Sequence, residues 1–217
     1  MDQKKLDQQS QHWENNFSNK PEMFGLKPSI AAVKALKKFQ KENITNIVEL
    51  GAGLGRDTIY FAKNSIHVHA LDYSPSALKI INKKKNELNL SKFINTQLFD
   101  IREKLPFTND TFQGCFSHML YCMALSNDNI NQLNNEICRV LTKGGLNIYT
   151  VRNFEDGDYK NGIHRGEDLY ENDGFIVHFF SRDKIIKYSK KFKSLEIEEF
   201  EEGSFPRKLY LVKNIKV

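Results

Sequence analysis

The stretch Val48-Glu49-Leu50-Gly51-Ala52-Gly53-Leu54-Gly55-Arg56 decides the fold. Asn46 to Leu50 reads as a short buried strand, Gly51 breaks it, and a helix runs on through Thr58-Ile59-Tyr60-Phe61-Ala62. Three glycines therefore fall at a strand-to-helix turn, where the missing Cβ atoms let backbone N–H groups approach a ligand closely. A dinucleotide fingerprint, G-x-G-x-x-G, would put a small residue at position 56, where this chain has Arg56. The phosphate cradle G-x-x-x-x-G-K-[ST] is absent too. A nicotinamide-dependent oxidoreductase and a nucleotide hydrolase are both disfavoured.

Outward from this turn, strand and helix signals alternate. His67 to Leu71 continues a strand from Ile66 that stops at Asp72, and Ser74-Pro75 supplies a helix N-cap followed by proline at the first helical position. Upstream, Pro28-Ser29 opens a helix that Asn43 ends. Downstream, Phe93 to Phe99 and Thr111 to Ser117 read as strands, and Ile130, Leu133, Ile137 and Val140 mark a helix that Gly144-Gly145 should cap. A fifth strand follows from Gly145 to Val151, then an irregular stretch to His178, a helix capped by Ser181, and strands near 194–200 and 208–213. The short Gly203-Ser204-Phe205-Pro206 link makes that last pair antiparallel, since a parallel return needs a crossover. The pattern predicts an α/β fold: a doubly wound, mostly parallel sheet with helices on both faces and a reversed strand at or near one edge.

The 217 residues suit a single domain, 1–217, with an N-terminal cap segment over 1–25 and an insertion over 153–178. Hydrophobic residues at 40% and charged residues at 27% are ordinary for a globular protein. No apolar run reaches the roughly 18 residues of a membrane span, and the first residues lack a signal-peptide core, so a cytoplasmic protein without a membrane partner is expected. Cys115, Cys122 and Cys138 show neither C-x-x-C spacing nor an even count, which favours buried thiols. The net charge of +5 comes from scattered lysines, so nucleic acid is a minor option.

Two acidic strand ends give the turn a ligand. Asp72, about 20 residues beyond the glycines, is placed to accept from both hydroxyls of a ribose. Asp100 and the backbone of Ile101 suit an adenine edge, and Glu49 can compensate an ammonium group. A ligand with ammonium, ribose and adenine but no phosphate is S-adenosylmethionine. These features, with Leu105-Pro106-Phe107 and Asp110 before the fourth strand and Glu136, Arg139 and Gly144-Gly145 before the fifth, resemble the class I, Rossmann-like, S-adenosylmethionine-dependent methyltransferases from Glu49 to Val151. Gly55-Arg56-Asp57-Thr58-Ile59-Tyr60-Phe61-Ala62 looks like the tellurite-resistance and thiopurine-type branch of that family. The resemblance implies a seven-stranded sheet with an antiparallel final strand. It also implies cofactor contacts at Glu49, Gly51, Gly53, Asp72, Asp100 and Ile101, to which the neighbouring Ala52, Tyr73 and Ser117 are added.

The acceptor side is bounded by the loop after the fourth strand, the cap and the insertion. The Asn/Asp-Pro-Pro-aromatic sequence of base-amino methylation is absent after Ser117, so a small-molecule acceptor is expected. His118, Tyr121 and His164 are the candidate bases or orienting groups, with Arg165 as a further acceptor contact. Trp13, among the cap aromatics Phe17 and Phe24, is the expected anchor over the cofactor. His164, Glu167 and His178 match no familiar metal spacing, and no metal is expected. The rival from another class is a non-catalytic S-adenosylmethionine-binding regulatory module, for which the same glycines and carboxylates would serve.

Overall fold

The computed structural model describes residues 3–203 and 207–217. Helix α1 (Gln3–Asn19) and helix α2 (Ile30–Lys41) precede β1 (Asn46–Leu50). The chain then alternates through α3 (Arg56–Lys63), β2 (His67–Asp72), α4 (Pro75–Glu87), β3 (Ile94–Leu98), β4 (Phe112–Ser117), α5 (Asn127–Val140) and β5 (Leu141–Asn153). Three strands follow, β6 (Ile163–His164), β7 (Leu169–Asn172) and β8 (Phe175–Phe180), and then α6 (Arg182–Tyr188), β9 (Phe192–Glu202) and β10 (Arg207–Lys216).

The capping residues read from the sequence act as caps: Ser29, Ser74 and Ser181 each accept from a backbone N–H in the first turn of α2, α4 and α6, and Ser126, which the sequence reading did not single out, does the same for α5. The main sheet runs β3-β2-β1-β4-β5-β10-β9. The pairs from β3 to β5 are all parallel, and β10 lies antiparallel between β5 and β9. The reversed strand is thus second from the edge. Of the linking turn, Gly203 is described, with φ at +100°, and residues 204–206 lie outside the described residues.

Two expectations need correction. Gly144 caps no helix: α5 ends at Val140 with Leu141 at its C-cap, and β5 begins at once. Gly144, with φ at +78°, and Gly145 sit where β5 shifts register against β4. A Cβ at Gly145 would stand 2.8 Å from the Thr142 carbonyl oxygen, so Gly145 relieves backbone crowding, while Gly144 meets nothing within 4 Å and is there for its positive φ. Nor is the 153–178 stretch irregular throughout: turns and bends fill 154–162, and an ordered part follows. It folds as the antiparallel meander β6-β7-β8, whose last strand runs parallel to the final residues of β5, past the point where β4 stops. The alternation that marks these strands was masked by their shortness and by the turn residues Gly162, Gly166, Asp173 and Gly174, all at positive φ.

Each face of the sheet buries its own cluster. Phe39, Phe61, Ile81 and Phe116 join α2, α3 and α4 to one side, while Ile137, Val140, Tyr149 and Ile185 join α5 and α6 to the other. Each such fully buried side chain contributes about 1.5–3 kcal/mol over an exposed one. This layered packing fixes the carboxyl ends of β1, β2, β4 and β5 along one rim, where loops can gather around a ligand. Among the described residues no helix is long and apolar enough to cross a membrane.

Candidate cofactor and acceptor site

A cavity of about 410 Å³ opens along that rim. Over the tips of β1 and β2 it is lined by Glu49, Gly51, Ala52, Gly53, Asp72 and Tyr73. Over the tips of β4 and β5 it is lined by His118, Met119 and Arg152. Helix α1 contributes Trp13 and Phe17, and the meander contributes Asn172, Asp173, Phe175 and Val177.

The glycine turn is built as its sequence requires. Gly51, at φ +69°, would bring a Cβ to 2.9 Å from Leu120 Cδ1. The backbone N–H groups of Gly51 and Ala52 both donate to the Leu71 carbonyl at the end of β2, which pins the turn to the sheet. The third glycine has a packing role: a Cβ on Gly55 would stand 2.5 Å from Ile81 Cγ1, so Gly55 is what lets α3 approach α4.

Asp72 does more than the sequence suggested. Its carboxylate accepts from Gly53 N at 2.7 Å and Ser74 N at 2.9 Å, tying the glycine turn to the start of α4. Burial pushes its pKa up to about 6, against the pull of those two N–H groups. Glu49 is also buried, accepts from the Thr58 hydroxyl at 2.5 Å, and is raised well above the usual carboxylate range by burial and by Asp57. Two carboxyl groups with raised pKa values thus line one cavity, and a cationic ligand favours the ionised form of both.

Asp100 and Ile101 sit at an adjoining smaller cavity shared with Trp13, Tyr73, Leu120 and Met123, and Ile101 lines both. The Asp100 carboxylate is gripped by Arg102, with Nη2 to Oδ2 at 2.7 Å, and the same guanidinium donates to Asp7 of α1 at 2.6 Å. Sequence reading gave no hint of Arg102, because a neighbour two residues on has no motif to announce it.

The other predicted residues divide. His118 lines the cavity, with Nδ1 at 3.1 Å from Thr150 Oγ1 and Nε2 at 3.5 Å from Glu202 Oε2. Burial, with Arg56 nearby, pushes its pKa down to about 3, so the imidazole is neutral at physiological pH. Trp13 lies over the cavity, its ring 4.8 Å from that of Phe175 and 5.3 Å from that of Phe17. The structure does not bring Tyr121, His164 or Ser117 to this cavity. Tyr121 is buried in the opposite cluster, stacked on Tyr149 at 4.1 Å with its hydroxyl donating to Asn134 Oδ1. An apolar environment raised the odds of burial for that tyrosine, and it wins over exposure at the loop. His164 is exposed at the far end of the meander, its Nε2 at 3.1 Å from the Glu167 carbonyl. Arg165 beside it pairs with Glu171. Ser117 is fully buried, and its Oγ has no partner among the described residues. The sequence reading missed Arg152, Asp158, Arg207 and Glu202, which the chain supplies from β5, its following loop and the β9–β10 pair, too far apart in sequence to form a motif.

Comparison with known proteins agrees with this geometry. Residues 47–145 match the family model of a methyltransferase domain. Among curated proteins none matches the chain by sequence. Similar solved structures include a 1,6-didemethyltoxoflavin-N1-methyltransferase from Burkholderia thailandensis with bound 1,6-didemethyltoxoflavin and S-adenosylhomocysteine, at 13% identity and TM-score 0.70, covering 96% of this chain and 87% of that one. TehB from Haemophilus influenzae, at 18% identity and TM-score 0.67, is matched over 94% of this chain and 67% of its own. The [4+2]-cyclase SpnF has TM-score 0.72 at 12% identity, covering 98% and 97%. Glu49, the glycine turn, Asp72 and Asp100 all fall within the matched segment, which is similar to a methyltransferase domain, and the likeness to the solved structures shows a shared Rossmann-like fold.

Proposed function

We propose that the chain transfers a methyl group from S-adenosylmethionine to a small molecule seated over the tips of β4 and β5. The observation that carries this reading is the continuity of one cavity from the glycine turn and Asp72 to His118 and Arg152. Glu49 faces the ammonium end, Gly51, Ala52 and Gly53 line the backbone cradle, and Asp72 accepts from the ribose. Tyr73, Asp100 and Ile101 surround the adenine, with Trp13 closing over it. Asp100 meets the adenine amino group only by sharing its carboxylate with Arg102.

The sulfonium supplies the reactivity of an in-line displacement, which leaves the protein to align and to exclude water. Trp13, Phe17 and Phe175 perform that exclusion from above. His118 is the group placed to orient the acceptor. Thr150 Oγ1, which accepts from Met119 N at 2.8 Å, holds the imidazole by Nδ1, and the ring, kept neutral by burial, serves as a hydrogen-bonding group and not as the carrier of the acceptor's proton. Tyr121 and His164 have no part in this reading, and Ser117 acts only through the backbone position it gives His118. The small-molecule reading is supported by the meander, which flanks the cavity with Asn172, Asp173, Phe175 and Val177.

Calorimetric titration with S-adenosylmethionine and with NAD, on the wild type and on Asp72→Ala, tests the cofactor site. Micromolar binding of the first, lost in the variant, and no binding of NAD is the expected result. Undiminished binding by Asp72→Ala would remove that residue from the site. Release of S-adenosylhomocysteine together with a methylated product separates the enzyme from a regulatory binding module.

A further inference from the structure

The acceptor end of the cavity carries two features that the methyl-transfer reading does not use. The first is a pair of guanidinium groups bridged by one oxygen. Arg152, at the end of β5, is almost fully buried and is held through Nε and Nη2 by Asp156, which is buried with it. Its Nη2 also donates to Asp158 Oδ2 at 2.5 Å, and the same oxygen accepts from Arg207 Nη1 at 3.2 Å. Arg152, Asp158 and Arg207 all line the cavity. Asp156 and Asp158 play unlike parts. Asp156 also accepts from Lys208 N, so it is built into the framework that positions Arg152. Asp158 has a side chain 31% exposed and meets both arginines through a single oxygen, so its place can be reached from solvent by another anion. The other carboxylates at this end belong to other elements, Asp57 being held by Ser29 and Asp173 lying in the turn between β7 and β8.

The second feature is softness. Every methionine of the chain except Met1 lines this cavity: Met23, Met119 and Met123. With Phe24 and Phe175 they give the cavity a lining of adaptable, polarizable side chains, of which Met119 lies just past the end of β4 and Phe175 opens β8.

We propose that the methyl acceptor is an anion with an apolar body: its charged group displaces Asp158 from Arg152 and Arg207, and its body lies against Met23, Met119 and Phe175. A carboxylate oxygen already occupies the bridging position, which shows that the two guanidinium groups are spaced to hold one. Asp158 serves as the internal occupant while the site is empty. The inference rests on the methyltransferase reading, because the cofactor must fill the other end.

The test uses protein saturated with S-adenosylhomocysteine and three probes: 4-phenylbutyrate, its uncharged amide, and acetate, which has the charge without the body. Trp13, the only tryptophan, lines the cavity and reports binding by its fluorescence. The acid should bind saturably and at least about tenfold more tightly than either control, the worth of one charge-assisted contact. Arg207→Gln should bring the acid to the level of the amide. Asp158→Asn should tighten the acid about threefold or more and leave the amide unchanged, because the competitor has lost its charge. Equal binding of acid and amide, absence of saturable acid binding, or weaker acid binding by Asp158→Asn would each overturn the proposal while the cofactor reading stands. Failure of S-adenosylhomocysteine itself to bind, seen by calorimetry before any probe is added, would remove both.

Discussion

Asp72 carries two duties at once: it ties Gly53 to Ser74 and it lines the candidate cofactor cavity, with a pKa lifted from its ordinary 3.8 to about 6. Because the folded value exceeds the unfolded one, the native state of the free protein holds a proton between those limits that the unfolded chain releases. The stability this gives is full below about pH 4 and is lost as pH rises through 6, a span worth on the order of 2–3 kcal/mol. Ligand binding runs the other way, since a ribose is best held by the ionised carboxylate. S-adenosylmethionine affinity should therefore fall as pH drops through about 6, and Asp72→Asn should bind about tenfold more weakly at pH 7.5 with a shallower profile below it. Calorimetry across pH 5–8 checks both, and a variant whose affinity keeps the wild-type pH slope would assign the titration to another group. Glu49 makes a related prediction. Burial and Asp57 shift it toward the protonated form in the free protein, and an ammonium ligand favours its ionised form. Binding near neutral pH should then release a proton, measured as a dependence of binding enthalpy on buffer ionisation heat, and Glu49→Gln should abolish that release.

Helix α1 sits over the cavity as a separate layer. Phe17 and Leu6 anchor it, Asp7 reaches Arg102, and the Glu14 carboxylate accepts from the hydroxyls of Ser74 and Ser76 at the start of α4. Its contacts run to α4 and β8 rather than into the sheet's two main clusters, so it can detach while the rest stays folded. Phe17→Ala removes about 3–5 kcal/mol of docking. Amide exchange in residues 3–19 should accelerate more than tenfold in that variant with β1, β4 and β5 unchanged; equal acceleration throughout would show that α1 belongs to the global unit. The elements were legible in the sequence where local chemistry speaks alone. Ser74-Pro75 could hardly start anything but a helix, and Gly51 could hardly continue a strand. The cofactor half of the cavity was legible for the same reason, because Glu49, the glycines and Asp72 lie within one βαβ unit. The acceptor half was not, since Arg152, Asp158 and Arg207 meet only through the pairing of β5 with β10, a long-range register that no local pattern encodes. The meander was hidden likewise: β6 has two residues, too few to show a period. Tyr121 and His164 were drawn to the site by residue type and loop position, and packing sent one into the core and the other to the surface.

At the scale of the molecule, one sheet joins both core clusters and carries the cavity on its rim, so cofactor binding should act on the global transition and not on a loop. A ligand that binds only the native state adds RT ln(1 + [L]/Kd), about 2.7 kcal/mol at a hundred times Kd. For a chain of 217 residues each kcal/mol moves Tm by about 2–4 °C. S-adenosylhomocysteine at that excess should raise Tm by roughly 5–10 °C, and NAD at the same concentration should leave it unchanged. At the same absolute concentration of S-adenosylhomocysteine, Asp72→Asn, binding about tenfold more weakly, stands at only about ten times its own Kd and keeps roughly half of the shift. Arg207→Gln, at the opposite end of the cavity, should keep all of it. Differential scanning fluorimetry compares the three proteins directly. A full shift in Asp72→Asn, or a reduced one in Arg207→Gln, would mean that the cofactor lies along the cavity in the opposite sense, with its adenosyl end over β4 and β5.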